Sequence, residues 1–144
     1  MAHLNLGNIL NDLGKLKEAE LSYRKAIELN PDFAMAHSNL GNILTDLGKL
    51  QEAESFTRKA IELNPDYAMA HLNLGSILSD LGKLDQSLIC FQVAIDIDEN
   101  LENALAGIGK VFLKKGNFRD GIFNLRKANG SINFNYTNDH IVIN

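Results

Sequence analysis

MAHSNLGNILTDLGKLQEAESFTRKAIELNPDYA, residues 35–68, decides how the rest of the chain is read. Laid over residues 1–34 it differs at only a few places, and MAHLNLGSIL begins a third copy at Met69. Self-similarity at a fixed offset of roughly 34 positions is the mark of a repeat architecture. Within residues 35–47 the apolar residues Leu40, Ile43, Leu44 and Leu47 fall at helical spacing. Gly48-Lys49 makes a turn, and a second helix is expected over residues 50–63, with Ala53, Phe56, Ala60, Ile61 and Leu63 on its apolar side. Asn64-Pro65-Asp66 stops that helix, because proline disfavours helix in the residue before it. Gly41 and Ala53 are small where the two helices approach most closely.

These landmarks recur. The first copy has Leu6-Gly7, Leu10, Gly14, Ala19, Tyr23, Ala26 and Pro31; the second has Leu40-Gly41, Leu44, Gly48, Ala53, Ala60 and Pro65. The third keeps Leu74-Gly75, Leu78, Gly82, Phe91 and Ala94, with Ser87 for the alanine and Glu99 for the proline. The fourth keeps Gly109, Phe112, Gly116, Leu125 and Ala128, with Gly121 at the small position. The pattern resembles the tetratricopeptide repeat family. The resemblance implies an all-α fold, a right-handed superhelix of helix-turn-helix units. On this reading residues 1–128 form one domain with repeats at about 1–34, 35–68, 69–101 and a degenerate 102–128. One departure stands out: where the family often carries an aromatic residue early in the first helix, this chain has His3, His37 and His71, then Leu105.

The composition excludes several classes. A chain of 144 residues, 45% hydrophobic and 22% charged, is ordinary for one globular unit. A formal net charge of −4 argues against nucleic acid as a partner, since such surfaces carry a basic patch. No apolar run approaches the roughly 18–20 residues of a membrane span, and MAHLNLGNIL lacks the features of a secretory signal. Cys90 is the only cysteine, so a reducing compartment, the cytoplasm, is expected.

The ends depart from a simple solenoid, whose terminal units normally carry polar caps. Met1 already lies inside the register of the first repeat, so either the chain is a fragment of a longer array or its first helix pair exposes an apolar flank. The tail, residues 129–144, alternates apolar and polar residues at Ile132, Phe134 and Tyr136 and again at Ile141 and Ile143, the pattern of a short β-hairpin. A lone hairpin needs something to pack on. Ile89 and Val93, with Phe123, form an apolar strip on a face that the second copy fills with Ser55 and Lys59. The tail is expected to fold over that strip, or strip and tail to bind a second chain. The uncapped ends and the tail are thus candidates for homo-oligomerisation.

No catalytic constellation, cofactor motif or metal cluster emerges. The periodic histidines sit a helix-packing distance of roughly 8–10 Å apart, too far to share one zinc; they are read as packing residues. Cys90 is read as a small packing side chain, because nothing near it in sequence supplies a base. The asparagines are different. They are poor helix-interior residues, yet Asn39 and Asn42 fall beside the buried stripe of the first helix. First helices line the concave groove of such a superhelix, which places Asn5, Asn8, Asn11 and Asp12 there, then Asn39, Asn42, Thr45 and Asp46, then Asn73, Ser76, Ser79 and Asp80.

The string SNLGN resembles one subset of the family, the repeats of O-linked N-acetylglucosamine transferase. That resemblance implies that the asparagine before each Leu-Gly pair, here Asn5, Asn39 and Asn73, forms a ladder gripping the backbone of an extended peptide. Gly107 ends the ladder after three rungs. A primary amide offers a donor and an acceptor, as a peptide group does, so it can hold main chain without reading sequence. The alternative is that these are solvated polar residues inherited through repeat duplication. Asp12, Asp46 and Asp80 form an acidic series, and Lys110 and Lys114 a basic i, i+4 pair. A peptide ligand is expected to place basic residues near the aspartates and an acidic group or C-terminus near the lysines.

The expected function is a non-catalytic module binding an extended peptide or partner protein. The alternatives are the targeting region of a larger enzyme such as a glycosyltransferase, or a self-assembling structural unit.

Overall fold

The computed structural model describes residues 1–130 in full, together with the backbone of residues 134–137 and 140–143. Eight helices follow one another: α1 Ala2–Asp12, α2 Leu16–Leu29, α3 Ala34–Asp46, α4 Leu50–Leu63, α5 Ala68–Asp80, α6 Leu84–Ile97, α7 Glu102–Lys114 and α8 Phe118–Ala128. Each odd helix packs antiparallel on the even helix that follows, and each even helix packs on the next odd one. The inner helices α3, α5 and α7 also approach one another directly, which makes theirs the shorter, concave arc of an α-solenoid.

The same turn joins every pair. Gly48 takes φ +75°, a conformation that side chains with a Cβ rarely adopt. It lets the Gly48 N–H donate to the Thr45 carbonyl at 2.9 Å and the Lys49 N–H to the Leu44 carbonyl at 2.8 Å, so two terminal carbonyls of α3 are satisfied. The link to the next repeat is an extended residue before proline, Asn30 or Asn64.

The periodic histidines prove to brace this link. His37 Nε2 donates to the Pro31 carbonyl at 2.7 Å and His71 Nε2 to the Pro65 carbonyl at 2.8 Å. A carbonyl can only accept, so Nε2 carries the proton and Nδ1 of the buried His37 is left without a hydrogen-bond partner among the described residues. At the third junction Glu99 and Leu105 replace both members of the pair together.

Apolar packing runs along the solenoid in two clusters. Leu40, Ile43 and Leu44 of α3 are fully buried against Ala19, Tyr23 and Ala53. Phe91 and Ala94 of α6 bury against Leu72, Ile108 and Val111. Burying one such leucine or isoleucine stabilises by roughly 1.5–3 kcal/mol. The helices of a pair cross where one side chain is missing. A Cβ on Gly109 would lie 2.9 Å from the Gly121 carbonyl oxygen, so α7 and α8 touch backbone to backbone.

Charged rungs tie the first three repeats together. Lys49 reaches back to Glu20 at 2.9 Å, and Lys83 repeats the contact with Glu54 at 2.9 Å. Arg24 bridges Glu20 at 2.8 Å and Glu52 at 2.6 Å. At the third junction Leu88 and Asn117 occupy the corresponding positions.

The first repeat exposes an apolar flank. Leu6 and Ile9 are 45% and 57% exposed, whereas their counterparts Leu40 and Ile43 are 0% and 1% exposed. In the tail, the backbone of Phe134–Thr137 runs antiparallel to that of His140–Ile143, with Phe134 opposite Ile143. The turn between these segments, and the packing of the tail on the Ile89–Val93 strip, lie outside the described residues.

Candidate functional site

The inner helices bring the expected groove residues into two groups. In the first, Asn8, Asn11 and Asp12 of α1 face Asn39 and Asn42 of α3 around a cavity of about 160 Å³, with Tyr23 at its floor. Tyr23 lies beneath Gly7, where a Cβ would meet its ring at 2.5 Å, so the glycine opens the path by which the tyrosine reaches the groove. Its hydroxyl donates to Asn8 Oδ1 at 2.8 Å, and Asn39 Nδ2 donates to the same oxygen at 3.0 Å. Burial raises the Tyr23 pKa above that of a free phenol, so it remains a hydroxyl donor here.

The second group spans α5 and α7. Asn73, Ser76 and Asp80 face Lys110 and Lys114 across a cavity of about 390 Å³. Gly107 stands at the ladder position, and the Phe91 ring fills the space below it, 2.5 Å from where a Cβ would be. Asn103, which sequence reasoning did not single out, lines this cavity too. Asn73 Nδ2 donates to Ser38 Oγ at 3.2 Å, tying this rung also to the preceding repeat.

The structure gives several of these groove residues partners. Asn39 and Asn73 each spend a donor on the neighbouring inner helix. One of the two lysines is engaged as well. Lys114 Nζ donates to the Ser79 carbonyl at 3.1 Å and to Ser79 Oγ at 2.9 Å, and sits 3.4 Å from Asp80. Lys114 therefore satisfies the end of α5, and Lys110 alone remains an exposed cation without an ion pair among the described residues. Asp12 and Asp46 are exposed, and neither forms an ion pair within the described residues. Asn5 and Asp46 lie on the inner helices outside both cavities.

The groove's hidden members were Tyr23, Asn8 as a shared acceptor, and Ser38. A signal existed for the first: position 23 becomes Thr57 and Phe91 in later copies, so side chains of different size stand at this position in successive repeats. Among the described residues no group of three His, Cys, Asp or Glu side chains is arranged to hold a metal. Cys90 is half-buried, and burial pushes its thiol up, away from the reactive thiolate. No helix of the described residues is long and apolar enough to cross a membrane.

Comparison with known proteins bears on this geometry. Profiles described as TPR repeat and tetratricopeptide repeat match residues 7–48, 34–67 and 56–89. No curated protein sequence matches. Among solved structures, that of MamA is 27% identical with a TM-score of 0.79, over 90% of this chain and 75% of that one. The first TPR domain of Spaghetti (RPAP3), bound to the HSP90 peptide SRMEEVD, is 23% identical with a TM-score of 0.76, over 80% of this chain and 91% of that one. A mutant O-GlcNAc transferase of Thermobaculum terrenum is 22% identical with a TM-score of 0.75, over 77% of this chain and 21% of that one. The last two likenesses are of fold.

Proposed function

The chain carries tetratricopeptide repeats over residues 7–89, and from that premise we propose that it is a non-catalytic module holding an extended peptide or partner protein in its concave groove, with Asn5, Asn39 and Asn73 as the backbone-gripping rungs. The observation that carries this reading is the anchoring of two rungs. Asn39 and Asn73 each donate from Nδ2 to the preceding inner helix, which holds the carboxamide in place and leaves its Oδ1 without a hydrogen bond among the described residues. A fixed acceptor binds a ligand N–H without the cost of ordering a loose side chain.

The groove also has polarity. Asp12 and Asp46 favour basic ligand residues toward the N-terminal repeats, and Lys110 favours an acidic group or C-terminus at the other end. Each rung is worth about 0.5–1.5 kcal/mol net, so three of them alone support binding no tighter than about the millimolar range. Side chains must supply the rest. A cytoplasmic setting belongs to the same reading, in keeping with a single unpaired thiol.

The likeness to an O-GlcNAc transferase, of which the chain spans 21%, favours a second reading in which this groove selects substrates for an enzyme. Both readings make the same demand on the asparagines. On a peptide array the double variant Asn39→Ala/Asn73→Ala should lose at least tenfold in binding while its circular dichroism stays helical. Unchanged binding would refute the ladder.

A further inference from the structure

The two groove cavities are opposite in sign. Around the first, Asn8 Oδ1 already accepts from Tyr23 and Asn39. The carboxamides of Asn11 and Asn42 and the Asp12 carboxylate have no hydrogen-bond partner among the described residues, and no cationic side chain is in the lining. An ionised carboxylate only accepts, and each carboxamide oxygen adds acceptor capacity. The unspent capacity here is a set of oxygen acceptors around one negative charge, which an ammonium or guanidinium group satisfies.

Around the second cavity, Lys114 and Asp80 offset each other at 3.4 Å, which leaves Lys110 as the net charge of the lining. Asn103, Gly107 and Lys110 follow one another at i, i+4, i+7 on one face of α7. The Asn103 carboxamide has no hydrogen-bond partner among the described residues and offers N–H donors. The missing Cβ of Gly107 opens the cavity over the Phe91 ring, with Leu72 beside it. An apolar floor below an ammonium and an amide suits a carboxylate carried on a short methylene stem.

Only the fourth repeat carries this donor set. Its counterparts in the first three copies are Met1, Met35 and Met69 for Asn103, and Asn8, Asn42 and Ser76 for Lys110. The charge of the whole chain runs in the same order. Residues 1–101 hold fifteen Asp and Glu against eight Lys and Arg, and residues 102–130 hold two against six. Such a field steers a ligand's basic end to the first cavity and its acidic end to the second.

The first cavity lies between α1 and α3, and the second between α5 and α7, two inner-helix steps further on. At roughly 8–10 Å per step the separation is about 16–20 Å, or five to six residues of extended chain. Strand side chains alternate, so two that enter the same groove wall are an even number apart. We infer that the two cavities are paired sockets of opposite charge, and that the ligand class is an extended peptide with a basic and an acidic side chain six residues apart. This rests on the peptide-holding reading and adds to it which side chains are read, and where.

Defined peptides test the spacing. Each is acetylated, amidated and built on a serine–threonine background, with one lysine and one glutamate separated by three to eight positions, in both orders. Dissociation constants with the full chain are measured by fluorescence polarisation at low salt. Spacing six, in one of the two orders, should bind about fivefold or more tighter than spacings five and seven. Lys110→Glu should remove that preference, and exchanging the peptide's glutamate for lysine should restore it. Asp12→Lys should likewise be rescued by exchanging the peptide's lysine for glutamate. Affinity that ignores spacing, while Asn39→Ala/Asn73→Ala still abolishes binding, overturns the sockets and leaves the ladder standing. A maximum at spacing three would assign the basic residue to Asp46, which lies outside both cavities, and overturn the first socket. No binding by any member overturns both readings.

Discussion

Asn39 on α3 and Asn8 on α1 are joined across one full repeat by a 3.0 Å bond from Nδ2 to Oδ1, and the Tyr23 hydroxyl meets the same oxygen at 2.8 Å. A side chain rooted in the core of the first repeat thus sets the pose of a groove residue in the second.

Removing that root should loosen the rung without touching it. Tyr23→Phe keeps the ring under Gly7 and deletes only the hydroxyl. We expect a stability loss of about 0.5–1.5 kcal/mol in urea denaturation. Peptide affinity should fall severalfold, because Asn8 and Asn39 must then be ordered by the ligand. Titration calorimetry with an array-selected peptide would measure it, and an unaltered affinity would show the anchor to be irrelevant to binding.

The charged rungs make stability acid-sensitive. Burial alone would raise the Glu20 pKa, but hydrogen bonds from Lys49 and Arg24 outweigh it and leave the carboxyl below its ordinary value. The Lys83 hydrogen bond, with Arg58, does the same for Glu54 against a smaller burial effect. A depressed carboxylate contributes its stability above the unfolded value, about 4.3, and loses it as pH falls through the folded one. The melting temperature should therefore drop below about pH 4.3, and less steeply in Glu20→Gln/Glu54→Gln. Parallel curves would count against the rungs.

Gly109 tests the tightest crossing. A methyl group there would press on the Gly121 carbonyl and on the Leu125 backbone nitrogen, at 2.9 and 3.0 Å, and backbone cannot step aside. Gly109→Ala should destabilise by about 1–3 kcal/mol, read as early loss of amide protection in α7 and α8. Gly14→Ala meets no atom and should cost only the strain of its positive φ, about 1 kcal/mol.

The open flank of α1 should govern self-association. Replacing Ile9 and Leu13 with lysine removes exposed apolar surface, 57% and 66% open in this structure, at little cost to folding. Light scattering at two concentrations should then show less association than the parent chain. An unchanged mass in a parent that does associate would direct attention to another face.

The repeat made most of the fold legible. Helix α4 spans Leu50–Leu63 as its periodicity predicts, and α3 is shifted by one residue, because Leu47 serves as its C-cap rather than its last turn. The groove was legible only as a set of positions. Periodicity places Asn39 on the inner face but is blind to a partner 31 residues away, and it reads Lys110 and Lys114 as a pair although Lys114 is bound to Ser79 on α5. The histidines carry the same lesson. Their spacing suggested packing, while the coincidence of Pro31 with His37 and Pro65 with His71, lost together at Glu99 and Leu105, was the trace of a hydrogen bond.

Glu20–Lys49 and Glu54–Lys83 are one contact made twice, at successive junctions. The unit between them is therefore interchangeable. A chain in which residues 35–68 occur once more would regain the same rung at the new junction, formed by Glu54 of one copy and Lys49 of the next. Its groove would lengthen by roughly 8–10 Å, or about three residues of extended ligand. On the proposed peptide-holding role, the preferred peptide would grow by that increment with each unit added, and the array would serve as a ruler whose graduations are written in its own sequence.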